Sequence, residues 1–150
     1  MPKKFSFRLE PILKLRSHRV IQEKEALLQV QAMRIAKENE IQENTEHLNS
    51  LYRNKKGKIT VEQMQIDFHR QNYIKEFIKK LEADRLRIIE IEEQRRLILN
   101  EALKEEKILE KLKDKKNTAY KEELNIEDMK MMDEIANNRV ARAEYVEIEG

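Results

Sequence analysis

Glycine and proline are almost absent from this chain of 150 residues: between Pro11 and the terminal Gly150, the one residue that breaks regular backbone is Gly57. Aromatic residues are also scarce, at 5%, and apolar residues make up 39% of the sequence. These fractions are too low for the two packed layers that a globular core needs. The composition therefore predicts long helices that bury a narrow apolar seam.

Cysteine is absent, so the sequence offers no disulfide, no thiolate metal ligand and no thiol nucleophile, which fits a cytosolic protein. Long apolar runs are absent too. No stretch approaches the roughly 20 apolar residues of a membrane span, and Lys3, Lys4 and Arg8 interrupt the start where a signal peptide has its apolar core. We expect no membrane insertion, and any membrane association is expected to run through a partner.

Charge is what the sequence has in abundance. Charged residues make up 40% of the chain, which together with its Ala, Leu, Glu, Lys and Arg content is typical of a coiled coil. Residues 1–75 hold 15 Lys and Arg against 9 Asp and Glu, whereas residues 76–150 hold 16 against 20. The net charge is only +2, so no nucleic-acid partner is expected.

A heptad pattern predicts a first helix over about residues 8–54, with Pro11 in its first turn. Arg34 fills the one polar step of this pattern. The apolar steps are Leu13, Val20, Leu27, Ile41 and Leu48, and the residues expected to widen the stripe are Ile21, Leu28 and Ile35.

Residues 55–60 are predicted to form a turn, because Gly57 tolerates positive φ and Thr60 with Gln63 matches a capping box. A second helix is expected over about residues 61–143, followed by a flexible tail over 144–150. Its first predicted heptad series is Ile74, Leu81, Ile88, Ala102 and Leu109, and its second is Phe77, Ile91, Ile98, Leu112 and Ala119.

The predicted fold class is all-α: one domain of two long helices in an antiparallel coiled-coil hairpin, with the second helix longer than the first. A reversal at Gly57 places residue 11 opposite about residue 104, which leaves roughly the last 35 to 40 helical residues without an intramolecular partner. Helix propensity alone is marginal in water. The sequence therefore predicts that this end of the helix binds another protein.

Catalytic and metal-binding patterns are not found. His18, His47 and His69 stand singly, and two glycines are too few for a phosphate-binding loop. Adjacent carboxylates such as Glu92 and Glu93 have no pocket to raise a pKa. We expect no catalytic residue, no metal ligand and no cofactor, so the protein is not expected to be an enzyme.

Three features of the sequence have two interpretations each. The basic start, where Phe5 and Phe7 lie among cations, is either a docking segment or a terminus stapled onto the helix. The basic turn contacts nucleic acid or acidic lipid headgroups, or it only adds solubility. The methionines near residue 130 form an adaptable interface or pack in the seam. The basic turn residues are Arg53, Lys55, Lys56 and Lys58, and the methionines are Met129, Met131 and Met132.

Three segments at characteristic separations bear on function: FSFRLEPILKLR at 5–16, QNYIKEFIKKL at 71–81 and EDMKMMDEIANNR at 127–139. In this order they resemble the flagellar export protein FliJ family. The resemblance implies an antiparallel two-helix coiled coil similar to the central stalk, the γ subunit, of rotary ATPases. It extends over nearly the whole chain.

The function implied by the resemblance is that of a soluble, non-catalytic stalk in the flagellar type III protein export apparatus. Such a stalk binds the hexameric export ATPase through its paired termini, promotes its assembly and activity, and couples it to the membrane export gate. Escort of export chaperones is also attributed to the family. The implied location is cytoplasmic, peripherally at the inner membrane at the flagellar base, and the chain alone is expected to be a monomer.

Two sets of site residues follow from the resemblance. The set near the turn is expected to bind the export gate, and the set at the two termini is expected to bind the ATPase. The gate-binding residues are Leu48, Tyr52, Phe77 and Leu81; the ATPase-binding residues are Phe5, Phe7, Leu9, Leu13, Arg16, Met132, Asp133, Ile135, Ala136 and Arg139.

Other functions stay open at the level of sequence. A homodimeric coiled-coil scaffold would bury the unpaired helix in a second copy, although Gly57 favours a hairpin. A nucleic-acid adapter would use the basic ends, and its binding would depend steeply on salt. The equivalent stalk of a virulence-type secretion system has the same physical features.

Overall fold

The structure is a computed structural model that describes the backbone of residues 4–53, 57 and 59–149 and the side chains up to residue 145. Two helices make up most of it, α1 over Glu10–Arg53 and α2 over Val61–Glu149. They contain 44 and 89 residues, and the described ranges contain no strand. The prediction of an all-α chain with a longer second helix is confirmed.

Helix α1 begins at Glu10, close to the predicted start. The N–H of Glu10 donates to the carbonyl of Phe7 at 3.0 Å, and the N–H of Leu13 donates to the carbonyl of Leu9 at 2.9 Å. Pro11 lies in the first turn, where its missing N–H costs no helical hydrogen bond. The carboxylate of Glu10 also lies at the end of the helix where the dipole favours negative charge.

Helix α2 is capped by Thr60, as its sequence motif predicts. The N–H of Gln63 donates to Thr60 Oγ1 at 3.2 Å, and the N–H of Met64 donates to the Thr60 carbonyl at 3.0 Å. Gly57 has a φ of 114°, in the left-handed region that favours glycine. The other predicted turn residues Lys55, Lys56 and Lys58 lie outside the described residues.

Helix α2 ends at Glu149 rather than near residue 143. No glycine or proline interrupts the sequence before Gly150, so nothing in the covalent chain stops the helix earlier. The helix thus takes in most of the segment that was expected to be a tail. The single-domain organisation stays a prediction, because the chain divides into two compact units.

The first unit, His18–Leu103, pairs the two helices antiparallel. Val20 of α1 is buried together with Ala102 of α2. Further along α1, Arg34 Nε lies 2.8 Å from Glu92 Oε2. Residue numbers therefore rise along α1 while those of its partners fall along α2, as in the predicted hairpin.

The second unit combines Met1–Ser17 with Lys104–Gly150. Its core is a cluster in which Phe7 and Leu13 are buried against Leu109. The half-buried residues packed against this cluster are Phe5, Leu9 and Leu112. The residues before α1 thus take part in the helix pairing.

One of the two predicted seam series of α2 is only partly buried. Phe77 and Ile91 of the second series are 39% and 46% exposed, whereas Ile98 and Leu112 are half-buried. The stripe-widening residues of α1, Ile21, Leu28 and Ile35, are exposed as well. The first series is buried as predicted, at Ile74, Leu81, Ile88, Ala102 and Leu109. The actual second series lies three positions before the first and is largely polar, at Gln71, Ile78, Arg85, Glu92 and Leu99.

The register of pairing also differs from the prediction. Residue 11 was expected opposite about residue 104, but its neighbour Glu10 lies 2.8 Å from Lys113 Nζ. The difference arises near the turn, where the first buried residue of α2 is Gln71, well inside the helix. The start of α2 therefore extends past the partner helix instead of pairing at once.

The unpaired end of α2 is consequently shorter than expected. Every residue from 125 to 145 is exposed, whereas Leu124 is still half-buried. The prediction that this end lacks an intramolecular partner agrees with this exposure, but its extent was overestimated. We name residues 125–145 the unpaired segment.

Candidate functional site

The unpaired segment presents the predicted C-terminal ATPase-binding residues. Met132, Ile135, Ala136 and Arg139 follow the spacing i, i+3, i+4, i+7, which places them on one side of the helix, with Asp133 at the edge. Met132 is 71% and Ile135 is 53% exposed. We name these five residues the C-terminal face. It is an apolar surface with one cation and one anion, and no part of the described chain covers it.

The predicted N-terminal residues are in a different environment. Phe7 and Leu13 are 8% and 7% exposed in the cluster with Leu109, and Leu9 packs against the same cluster. Their side chains therefore pack against α2 inside the molecule. The apolar residues at the N-terminus hold α2 rather than offering a second open surface.

Two further contacts complete this attachment. The ring centroids of Phe5 and Tyr120 lie 5.6 Å apart, and Arg16 Nη1 donates to the Glu105 carbonyl at 3.0 Å. Tyr120 precedes Met132 by about 18 Å along the helix, at 1.5 Å per residue. The structure therefore does not bring the N-terminal residues into the C-terminal face.

The predicted gate-binding residues do not all lie on one surface either. Leu48 lines a groove, and Tyr52 lies beside it with the Lys75 ammonium 5.6 Å from its ring centroid. Phe77 follows Lys75 by two residues, so it lies about 200° around α2, on the opposite side. Leu81 is 3% exposed and belongs to the seam. Only Leu48 and Tyr52 of this set share a surface.

The groove at Leu48 has a volume of about 710 Å³. Its apolar residues Leu48 and Ile78 are bordered by polar and charged ones, as in the contact surfaces of protein complexes. The remaining lining residues are Thr45, Asn72, Lys75, Glu76 and Lys79.

A charged network crosses the seam of the first unit. Arg34 Nη1 lies 3.0 Å from Glu38 Oε1, and Arg85 Nε lies 3.3 Å from the same oxygen, while Arg34 Nε contacts Glu92. The hydrogen bond from Arg34, followed by that from Arg85, holds the pKa of Glu38 below its ordinary value. The hydrogen bonds to Glu38 and Glu92 in turn raise the pKa of Arg34. Glu38 and Arg34 therefore stay charged near neutral pH, so their network suits helix pairing rather than proton transfer.

One exposed surface was not identified from the sequence. Val61, Met64, Ile66 and Phe68 at the start of α2 are between 58% and 72% exposed. Their signal in the sequence is the apolar spacing directly after the Thr60 cap. We name these four residues the apolar tip.

The described residues contain no group of three or more His, Asp or Glu side chains placed to hold a metal ion. The ring Nε2 of His18 lies 3.2 Å from the Gln22 amide, and this contact is exposed. In the ranges that the structure describes, no helix is both long and apolar enough to cross a membrane. The arrangement offers surfaces for binding, among them the C-terminal face and the apolar tip.

Comparison with protein families gives one match. A family model described as flagellar FliJ protein matches residues 5–145. No curated protein and no solved structure matches the chain. The family match runs from the N-terminal residues that hold α2 to the end of the unpaired segment. Because it covers nearly the whole chain, the protein belongs to the FliJ family, a family of flagellar export components.

Proposed function

We propose that this chain is a non-catalytic stalk of the flagellar type III export apparatus, which binds the hexameric export ATPase and promotes its assembly and activity. The observation that carries the proposal is the unpaired segment, a helix exposed from residue 125 to residue 145. Family membership supports a partner within the flagellar export apparatus. The proposed location is the cytoplasmic face of the inner membrane at the flagellar base.

The C-terminal face supplies the physical reason for binding. An isolated helix is marginally stable in water, and Met132 and Ile135 gain free energy when they leave water. Insertion into the central hole of a ring would place the C-terminal face against the inner wall of the ring. Asp133 and Arg139 would then meet different subunits, so binding would favour some nucleotide states of the ring over others.

The N-terminal residues have an indirect role in this proposal. The contacts of Phe5 with Tyr120 and of Phe7 with Leu109 fix the point at which α2 becomes a single helix. These N-terminal residues would position the ATPase-binding helix. They would not themselves contact the inner wall of the ring. This division revises the expected use of paired termini as one surface.

The other end of the protein is proposed to contact the export gate. Leu48 and Tyr52 share the groove side of the first unit, which makes them the best candidates for this contact. Phe77 would have to belong to a separate surface. Escort of export chaperones is a further role suggested by the family resemblance, and the same groove is its best candidate site.

The test compares two identical substitutions on opposite sides of the unpaired segment. Ala136→Asp places a charge in the C-terminal face, whereas Ala141→Asp lies about 140° away around the helix. Both residues are exposed, so both variants should fold. We expect Ala136→Asp to weaken binding to the cognate export ATPase by about tenfold or more and to abolish its activation, because an unpaired charge would be buried. Ala141→Asp should behave like the unchanged protein.

A truncation after Glu123 tests the same proposal without a new charge. It keeps Tyr120 and its contact with Phe5 but removes the unpaired segment. The shortened chain should stay folded and fail to activate the ATPase. Full activation by this chain would overturn the proposal, and self-association of the unchanged protein without ATPase binding would favour the homodimeric scaffold.

A further inference from the structure

The apolar tip is the part of the first unit that α1 leaves uncovered. Residues 61–70 precede Gln71, the first buried residue of α2, and all of them are exposed except the half-buried Asp67. Val61 is 72% and Phe68 is 61% exposed. Four exposed apolar side chains thus lie within residues 61–68 at this end of the first unit.

The distribution of these side chains around the helix indicates what can cover them. Val61, Met64 and Phe68 follow the spacing i, i+3, i+7 and share one side. Ile66 lies about 140° away from Val61. A groove in a protein usually covers one side of a helix. An apolar medium that surrounds the tip would cover both sides.

The charges next to the tip suit a negatively charged surface. From Arg53 to Arg70 the sequence contains five Lys and Arg residues against Glu62 and Asp67. Arg53 and Arg70 are both exposed. Lys75 follows Phe68 by two helical turns. Cations therefore lie behind the apolar residues, as in segments that bind at the boundary of headgroups and acyl chains.

Two tyrosine side chains lie at the same level along the helices as these cations. Tyr73 is 73% exposed, and Tyr52 is 42% exposed with the Lys75 ammonium 5.6 Å from its ring centroid. Tyrosine is enriched at membrane–water interfaces, because its ring is apolar and its hydroxyl group is polar. Apolar residues at the end, then tyrosines and cations, form the sequence of layers that a bilayer surface requires.

We propose that the apolar tip docks on the surface of a bilayer that contains anionic phospholipids. Val61, Met64, Ile66 and Phe68 enter the interface, and Arg53, Arg70 and Lys75 face the lipid phosphates. The tip lies in the interface and does not span the bilayer. This inference goes beyond the proposed function, does not depend on ATPase binding, and replaces the expectation that membrane association runs only through a partner.

Vesicle co-sedimentation of the full chain tests the proposal. The vesicles contain either phosphatidylcholine alone or equal parts of phosphatidylcholine and phosphatidylglycerol. The unchanged protein should bind the anionic vesicles more tightly, and added salt should weaken this binding. The double variant Met64→Ser with Phe68→Ser should bind about tenfold more weakly or not at all, because its apolar contribution is removed.

The matched control is Leu86→Ser with Leu97→Ser. These leucines are 58% and 57% exposed on the same helix but lie away from the tip. The control variant should bind the vesicles like the unchanged protein. An equal loss in both double variants would overturn the proposal, because it would show that any exposed apolar residue contributes.

A spectroscopic readout locates the contact. The chain has no tryptophan, so Phe68→Trp introduces a single tryptophan at the tip, whose emission can be excited apart from that of the tyrosines. Its emission should shift to shorter wavelength when anionic vesicles are added. An unchanged spectrum would overturn the proposal. Absence of vesicle binding, combined with loss of export-gate binding in the Met64 and Phe68 variant, would identify the tip as a protein-docking surface and would also overturn it.

Discussion

Helix α2 contains two regions with similar apolar spacing and opposite environments. In the region that pairs with α1, Leu81 is 3% exposed and Leu109 is 5% exposed. In the unpaired segment, Met132 is 71% exposed on a face with i, i+3, i+4, i+7 spacing. The comparison shows that apolar spacing identifies a helix face that needs a partner. Such a face becomes part of a core where α1 packs against it, and it is left for another protein where α1 does not reach.

The largest expected effect is a difference between the two regions in how much an alanine substitution lowers the free energy of unfolding. Leu81→Ala should lower the free energy of unfolding by about 2–4 kcal/mol, because it leaves a cavity in the seam. Met132→Ala should change it by no more than about 0.5 kcal/mol, because the side chain is already in water. Urea denaturation monitored by circular dichroism measures both values.

Leu86→Ala is the control for this measurement, since Leu86 is 58% exposed on the same helix as Leu81. It should resemble Met132→Ala. A large cost for Met132→Ala would break the comparison, because it would mean that the unpaired segment is packed in the free protein. Repeating the measurement at several protein concentrations would then show whether a second copy covers it.

A smaller effect distinguishes polar residues within the paired region. Glu92 is 7% exposed and accepts a hydrogen bond from Arg34 at 2.8 Å. Glu92→Ala should lower the free energy of unfolding by about 1–2 kcal/mol, because Arg34 loses a partner inside the seam. Glu93→Ala should cost less than about 0.5 kcal/mol, since the Glu93 side chain is 60% exposed and pairs only on the surface, with Arg96. Equal costs in denaturant titrations would show that the network does not support pairing.

The smallest expected effect is a dependence on pH. The pKa of Glu38 is lowered in the folded protein by its hydrogen bonds from Arg34 and Arg85. A lowered pKa contributes stability above the unfolded pKa, and this stability is lost as pH falls through the folded pKa. Glu38→Gln removes the titration. The difference in Tm between the unchanged protein and this variant should therefore be largest near neutral pH and shrink in acid; a constant difference would contradict the assignment.

The helices themselves could be predicted from the sequence. The lack of glycine and proline predicts two long helices, and the positions of Gly57 and Thr60 place their boundary. The series that includes Leu81 and Ala102 was predicted correctly, because it is almost entirely apolar. The second series was missed, because residues such as Glu92 are buried only when a cross-helix partner neutralises them.

The site was predictable only in part. Residues of the C-terminal face share one side of a helix, and regular spacing suffices to show this for Met132 and Ala136. The burial of Phe7 and Leu13 depends on the register, which in turn depends on how far α2 extends before it first pairs. Heptad spacing does not give that distance, because the apolar residues at the start of α2 follow helical spacing although they are exposed.

The contact between Phe5 and Tyr120 also creates a step in width. Beyond Tyr120 the described chain soon narrows from α2 with the N-terminal segment beside it to one helix of about 10–12 Å. A pore that is wide enough for only one helix would therefore admit only the narrow end. Insertion of the helix would stop near this step. The rise of 1.5 Å per residue gives residues 125–145 a length of about 30 Å. The N-terminal phenylalanines would in this way act as a depth stop that limits how far the helix can be inserted.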